Sequence, residues 1–169
     1  PNSLGPGELL QHYGNEEQKK KYLPGLSAGE YIPCFGLTGP HNGSDAAGKI
    51  DTGKVVMRGG KKVIQVKVNK RYITLAPISN LVGLAFNLED PDNLLENGKS
   101  GVTVALLDGK HKGLKLETYH NPLDAGFPNG TVKGDLEIEL DQIIGGEEKC
   151  GHGWKMLMEC LAAGRAISL

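Results

Sequence analysis

Several features that would assign this chain to a specialised class are absent. Its 169 residues hold three cysteines, Cys34, Cys150 and Cys160, scattered without metal-ligand spacing. That excludes a disulfide framework and a cysteine-based zinc site, and it suits a reducing, cytoplasmic setting. Neither sign of charge prevails, since 19 Lys and Arg stand against 20 Asp and Glu. Nucleic-acid binding usually leaves a basic excess, so nucleic acid is not expected as a partner. No apolar run approaches the ~20 residues of a membrane span, and no signal peptide is visible. The five histidines, His12, His41, His111, His120 and His152, show no metal spacing and read as surface or loop residues, so no metal is expected. No Ser-His-Asp or Cys-His order can be argued, and no carboxylate stands out as a general base, so no catalytic residue is assigned within this chain.

Glycine, by contrast, is abundant at 25 residues, spread evenly. Even scatter argues for many tight turns between short strands rather than low complexity. The length suffices for one domain burying ~70% of its unfolded surface. The chain starts at Pro1 and reaches Leu169 inside a helical pattern, so a piece of a longer protein is expected.

The first part reads as helical. GPGELLQHYGNEEQKKKYLPGLSAGE has a short apolar turn at Leu9 and Leu10, then a helix start at NEEQKKKYL. Asn15 is its expected N-cap, Glu16 and Glu17 favour the positive end of the helix dipole, and Pro24 is expected to end it. From Ile32 the pattern changes to strands: IPCFGLT, KVVMR, KVIQVKVN, KRYITLAP, LVGLAFNLED, GVTVALLD, LKLETYH, TVKGDLEIEL and QIIGG. Turn residues between them predict a mainly β, antiparallel two-sheet barrel or sandwich, with helical segments at both ends. In KVIQVKVN, Val63, Gln65 and Lys67 fall on one face and Ile64, Val66 and Val68 on the other, a half-buried strand. LVGLAFNL is apolar almost throughout and belongs deeper. PDNLLENGKS and NPLDAGFPNGT read as polar loops. After Gly145, Trp154, Leu157, Met158 and Leu161 recur at helical spacing, which predicts one apolar stripe.

Two stretches carry candidate chemistry. CFGLTGPHNGSDAAG, Cys34 to Gly48, follows an apolar run with several glycines and a serine. Such a loop can turn backbone N–H groups toward an anion, or it can be an ordinary decorated turn. Thr38 can meet the polar edge of a flat heterocycle or cap the strand end. In KRYITLAP, Tyr72 and Thr74 alternate with Ile73, so they share a face. They can flank a flat cofactor, or they can belong to an amphipathic strand. Cys34 beside Pro33 reads as a small buried hydrophobe.

Taken in series, CFGLTGPHNGSDAAG and NKRYITLAP resemble the middle domain of the acyl-CoA dehydrogenase family, whose pattern there is T-x-P-x-x-G-S-D followed by an aromatic-Ile-Thr strand. The upstream helix and IIGGEEKCGHGWKMLMECLAAGR also resemble that family in order, so the likeness covers essentially the whole chain. LVGLAFNLEDP and GWKMLMECLAAGRAISL are similar to the large bacterial long-chain enzymes of fatty-acid β-oxidation. The resemblance implies residues 1–30 as the end of an N-terminal helical domain, 31–145 as a middle β-barrel domain, and 146–169 as the first helix of a C-terminal helical domain.

It further implies an FAD-dependent oxidoreductase that converts fatty acyl-CoA to trans-2-enoyl-CoA, removing an α-proton as a β-hydride passes to flavin N5. Phe35, Gly36, Leu37 and Thr38 would line the flavin, with Thr38 at its pyrimidine edge. Ser44, with the backbone of Asn42 and Gly43, would meet the FAD pyrophosphate and the CoA arm. Tyr72 would pack on the ring, Thr74 would bond near N5, and Ile73 between them would belong to the same cofactor-binding set. Arg165 matches an arginine near the family's active site. The family's base lies beyond Leu169, so the chain is expected to be inert alone. Electron-transfer flavoprotein is the implied electron acceptor. A homo-oligomer, cytoplasmic or associated with a membrane when full length, is the implied state. Gly39 between Thr38 and Pro40, His41 with Asn42, and Tyr72 in place of a frequent Trp depart from the family pattern. A family-like flavin monooxygenase and a cofactor-free β-sandwich module are the alternative readings.

Overall fold

The computed structural model describes residues 4–46, 48–117 and 119–167. Residues 1–3 and 168–169 of the outer segments, Ala47 of the glycine-rich loop and Thr118 of the expected LKLETYH strand lie outside the described residues.

Helix α1 spans Gly5–Tyr13 and α2 spans Glu16–Ser27. Asn15 caps α2 as expected: its Oδ1 accepts the Gln18 N–H at 2.9 Å, and Gln18 Oε1 accepts the Asn15 N–H at 3.2 Å. This reciprocal pairing satisfies two of the orphan donors of the first turn. Pro24 does not end the helix. It lies inside α2, and its carbonyl still accepts the Ala28 N–H at 2.9 Å.

The strands are β1 (Pro33–Gly36), β2 (Thr52–Arg58), β3 (Lys61–Thr74), β4 (Leu81–Glu89), β5 (Gly101–Asp108), β6 (Tyr119–His120) and β7 (Asn129–Glu139), followed by helix α3 (Gly153–Ile167). KVIQVKVN and KRYITLAP, expected as two strands, form the single strand β3. Among its described residues, LKLETYH contributes β6 and an isolated bridge from Lys115 to Lys133. QIIGG is not a strand; it touches β5 through an Ala105–Ile143 bridge and the Ile144 N–H bonded to Val104 O at 2.9 Å.

The strands make one seven-stranded sheet, ordered β1-β4-β2-β3-β7-β6 with β5 on β4. The expected antiparallel barrel or two-sheet sandwich is corrected on two points: the sheet is mixed, and it does not close into a barrel. β5 pairs antiparallel along Leu81–Leu88 of β4. A strand has only two edges, so β1 and β2 share the other. β1 runs parallel beside Leu81–Leu84 and β2 parallel beside Asn87–Glu89. The 37–51 loop therefore leaves the sheet in the break between two strands on one edge of β4. β2 and β3 form a hairpin whose loop, Gly59 and Gly60, has φ values of 53° and 80°. Both signs fit a type I′ turn, the twist-compatible choice for a two-residue loop.

Both faces of β4 and β5 are covered, so LVGLAFNL is buried as its composition predicts. On one face Leu81, Ala85, Val104 and Leu106 join Leu9 and Leu10 of α1, Phe35, and Met156 and Leu157 of α3. On the other, Leu84, Phe86, Leu88, Ala105 and Leu107 meet Val55, Ile64, Val66, Leu136 and Ile138. β5 and β7, separated in the sheet by β4, β2 and β3, share that second cluster, so the sheet must bend over itself. The stripe expected on α3 is turned from its predicted position. Met156 and Leu157 are buried, Met158 and Leu161 are half-buried, and Trp154 is 39% exposed. No described helix is long and apolar enough to cross a membrane.

Candidate functional site

The polar loop after β1 is built around Asn42. Its side chain is buried, and its Oδ1 accepts the Gly39 N–H at 2.8 Å while its Nδ2 donates to Leu37 O at 3.1 Å. Gly39 and Asn42 also form an isolated antiparallel bridge, so the loop closes as a tight turn. An amide carries both a donor and an acceptor, which lets one side chain close the turn from both ends. Gly39, Gly43 and Gly48 all keep ordinary φ values, so the described part of the loop contains no left-handed glycine. Asn42→Ala should remove both bonds, cost about 1–2 kcal/mol in urea unfolding, and speed hydrogen exchange at the Gly39 amide.

The two motifs meet. The Arg71 N–H of β3 donates to Thr38 O at 3.1 Å. Asp51 ties the far end of the loop down: its Oδ2 accepts the Asn69 N–H at 3.1 Å and lies 3.0 Å from Lys70 Nζ. Lys70 is fully buried beneath the loop, beside Gly36, where an added Cβ would meet its Cγ at 3.3 Å. Burial pulls the Lys70 ammonium below the usual lysine range, and the Asp51 carboxylate offsets this in part. Sequence reading missed both residues; the only available signal was a lysine inside an otherwise strand-like run.

Beyond Arg71 the ladder with β7 slips. Lys70 pairs with Val132 but Ile73 pairs with Gly130, so β3 carries one extra residue. Tyr72 sits in that bulge at φ 59°, and Leu75, one residue past Thr74, is at φ 65°. Two left-handed residues that are not glycine flank Thr74, a strain of the kind that gathers at functional sites. The bulge breaks the simple alternation, yet Tyr72 still faces outward while Ile73 is buried. The Tyr72 ring lies 5.2 Å from the His120 ring, so His120 belongs beside this site rather than to a remote loop.

The remaining candidates divide by exposure. Leu37, Thr38 and Thr74 are half-buried, and Gly43 and Ser44 are exposed. Phe35, Gly36 and Ile73 are buried. The Phe35 ring is turned under α1, close against Gly5 and Gly83, so any part it takes at the site runs through its backbone. Ile73 packs with Cys34, Ala76, Val82 and Val132. Cys34 is the buried hydrophobe expected, and burial pushes its thiol up to about 11. Arg165 is exposed on α3. No metal-holding group of His, Cys, Asp and Glu occurs among the described residues.

No family model matches the chain. Among curated proteins, it is 45% identical over 87 residues to "Protein HemX" of Proteus mirabilis, covering 50% of this chain and 51% of that protein. It is 29% identical over 165 residues to the acyl-CoA dehydrogenase of Bacillus subtilis, covering 96% of this chain and 40% of that enzyme. The chain thus spans about half or less of the length of the curated relatives it matches. Among solved structures, a Mycobacterium smegmatis glutaryl-CoA dehydrogenase in complex with FADH2 matches with TM-score 0.65 and 26% identity over 80% of this chain and 32% of its own. Butyryl-CoA dehydrogenase from Megasphaera elsdenii matches with TM-score 0.75 and 23% identity over 97% of this chain and 41% of its own, a likeness of fold. The chain is thus similar in sequence to one acyl-CoA dehydrogenase and in fold to solved members of that family.

Proposed function

We propose that this chain is the sheet-bearing, FAD-binding part of an acyl-CoA dehydrogenase of fatty-acid β-oxidation, acting on fatty acyl-CoA thioesters. The observation that carries the reading is the 3.1 Å hydrogen bond from the Arg71 N–H to Thr38 O, which joins the glycine-rich loop and the Tyr-Ile-Thr strand into one surface. That surface offers hydroxyls at Thr38, Thr74 and Ser44 and a half-exposed aromatic ring at Tyr72, a donor set suited to a flat ring with a polar edge and a phosphate tail. Residues 1–30, 31–145 and 146–169 are accordingly assigned to the end of an N-terminal helical domain, the middle domain and the first helix of a C-terminal helical domain.

Thr38 would hold the pyrimidine edge of FAD, Tyr72 would pack on its ring, Thr74 would bond near N5, and Ser44 would meet the pyrophosphate and the CoA arm. FAD, when bound, supplies the two-electron acceptor for desaturation beside the thioester. This chain's part is to bind and orient. The base that takes the α-proton is assigned to the C-terminal helical domain of the complete protein, electron-transfer flavoprotein to reoxidation, and a homo-oligomer to the full-length state.

Flavin fluorescence quenching on this chain and on the full-length product of its reading frame tests the reading. The full-length product should bind FAD, and Thr38→Ala with Ser44→Ala should weaken binding by about tenfold or more. No binding by the full-length wild type would overturn the assignment and leave a sheet domain whose glycine-rich loop is only a turn.

A further inference from the structure

At the open end of the sheet, three strands stand in register. Thr74 of β3 pairs with Asn129 of β7, and Asn129 pairs with His120 of β6. Residues directly opposite in a ladder share a face, so these three polar side chains form one row. The next row, Ile73, Gly130 and Tyr119, points the other way, and Ile73 enters the core there.

Two atoms of the polar row have no partner among the described residues. Asn129 is 5% exposed, and its Oδ1 is buried without a hydrogen bond. His120 Nε2 is buried and unpartnered as well. Buried polar atoms are nearly always satisfied, so a pair of orphans side by side calls for an explanation. The neighbourhood supplies one. The bulge at Tyr72 holds an aromatic ring against His120, and the left-handed Leu75 bonds Pro128 O at 2.8 Å, which fixes the loop that leads into Asn129.

We infer that Asn129 and His120 form a ligand subsite beside Thr74 that takes the N–H and C=O edge of an amide group. The chemistry follows from the atoms. A side-chain amide oxygen accepts only, so it takes an N–H. The imidazole Nε2, in the tautomer that carries its proton, donates to a carbonyl. A bare phosphate is disfavoured, because its oxygens would face the Asn129 oxygen. Tyr72 gives the flat group an aromatic wall. The lactam of the flavin ring, held cis, presents both groups on one edge; the amides in the pantetheine arm of acyl-CoA are trans, so that arm offers the pair through the N–H of one amide and the C=O of the next. The inference rests on the proposed function for the identity of those ligands.

Asn129→Leu and His120→Phe test it, each keeping bulk while removing the polar atom. Both variants, with wild type and Thr38→Ala, would be titrated as the full-length product with FAD, and then, loaded with FAD, with free CoA and with pantetheine. The expected result is about a tenfold loss for one ligand class and little change for the other. Loss for FAD assigns the edge to the flavin; loss for CoA and pantetheine together assigns it to the pantetheine arm. Relieved of an unpaired buried oxygen, Asn129→Leu should melt no lower than wild type without ligand, and its ligand-induced rise in melting temperature should shrink. Wild-type binding of every probe by both variants, with FAD binding still lost in Thr38→Ala, would overturn the subsite and leave the proposed function standing. Wild type that binds neither FAD nor CoA would overturn both.

Discussion

Asp51→Ala is expected to lower the free energy of unfolding by about 3–5 kcal/mol. Lys70 is fully buried, and its Nζ lies 3.0 Å from Asp51 Oδ2, a charge contact without the alignment of a hydrogen bond. Removing the carboxylate leaves the ammonium alone in an apolar setting, which is costlier than never having had the pair. The same carboxylate accepts the Asn69 N–H at 3.1 Å, and the Asp51 backbone oxygen accepts the Asn87 N–H at 2.8 Å. The substitution therefore loosens the point where β2, β3 and β4 meet beneath the loop. Lys70→Met removes the charge and keeps the volume, so it should cost far less, and Asp51→Ala with Lys70→Met should recover much of the loss. Urea unfolding of the three variants decides the matter, and a loss under about 1 kcal/mol for Asp51→Ala would mean that water or backbone already solvates the ammonium.

The pair also has a pH signature. Burial lowers the Lys70 value from the ordinary 10.5, with Asp51 opposing in part. Between that lowered value and 10.5 the unfolded chain keeps a proton that the folded chain has released. The unfolded state then binds more protons, so wild-type stability rises with pH through that window. Lys70→Met should lack this rise. A parallel pH dependence in wild type and Lys70→Met would assign the effect to other groups.

The residues themselves show which parts of the fold were readable. β4 was legible because parallel and buried strands are apolar at nearly every position, and Leu81 to Leu88 has that texture. Asn15 was legible as a cap because capping is local. β3 was divided in two at Asn69, because asparagine is a turn former and two charged residues follow it. Only the Asp51 partner, distant in sequence, makes a buried lysine tolerable within a strand. The parallel pairing of β1 and β2 with β4 was hidden, since alternation reports burial and not strand direction. On α3 the spacing was sound but the phase was not. Trp154 is the largest apolar residue there, yet Met156 and Leu157 reach the shared core with α1. At the site, residue types and order singled out Thr38, Tyr72 and Thr74 as candidates. The bulge at Tyr72 and the row through Asn129 and His120 depend on register, which no single segment encodes.

Gln18→Ala should cost about 2–4 kcal/mol, given four side-chain hydrogen bonds at a modest net value each. Gln18 is 7% exposed and sits between α2 and the segment after β7. Its Nε2 donates to Asp141 O at 2.8 Å and to Ile143 O at 2.7 Å. Its Oε1 accepts the Gly145 N–H at 3.0 Å, as well as the Asn15 N–H of the cap. One side chain thus caps its own helix and pins that helix to the sheet. Gln18→Glu discriminates further. A carboxylate keeps both acceptor contacts but turns an oxygen toward two carbonyls, so at neutral pH it should cost at least as much as alanine. Acidification should return part of the loss, because a protonated carboxyl regains one donor. Hydrogen exchange then locates the damage: α2 amides should open while those of β3 stay protected, because the β3 ladder runs between β2 and β7 and makes no use of Gln18. Equal opening of β3 would instead mean that helix and sheet unfold as one unit, with the pin holding the surface that carries Thr38 and Thr74 as well as α2.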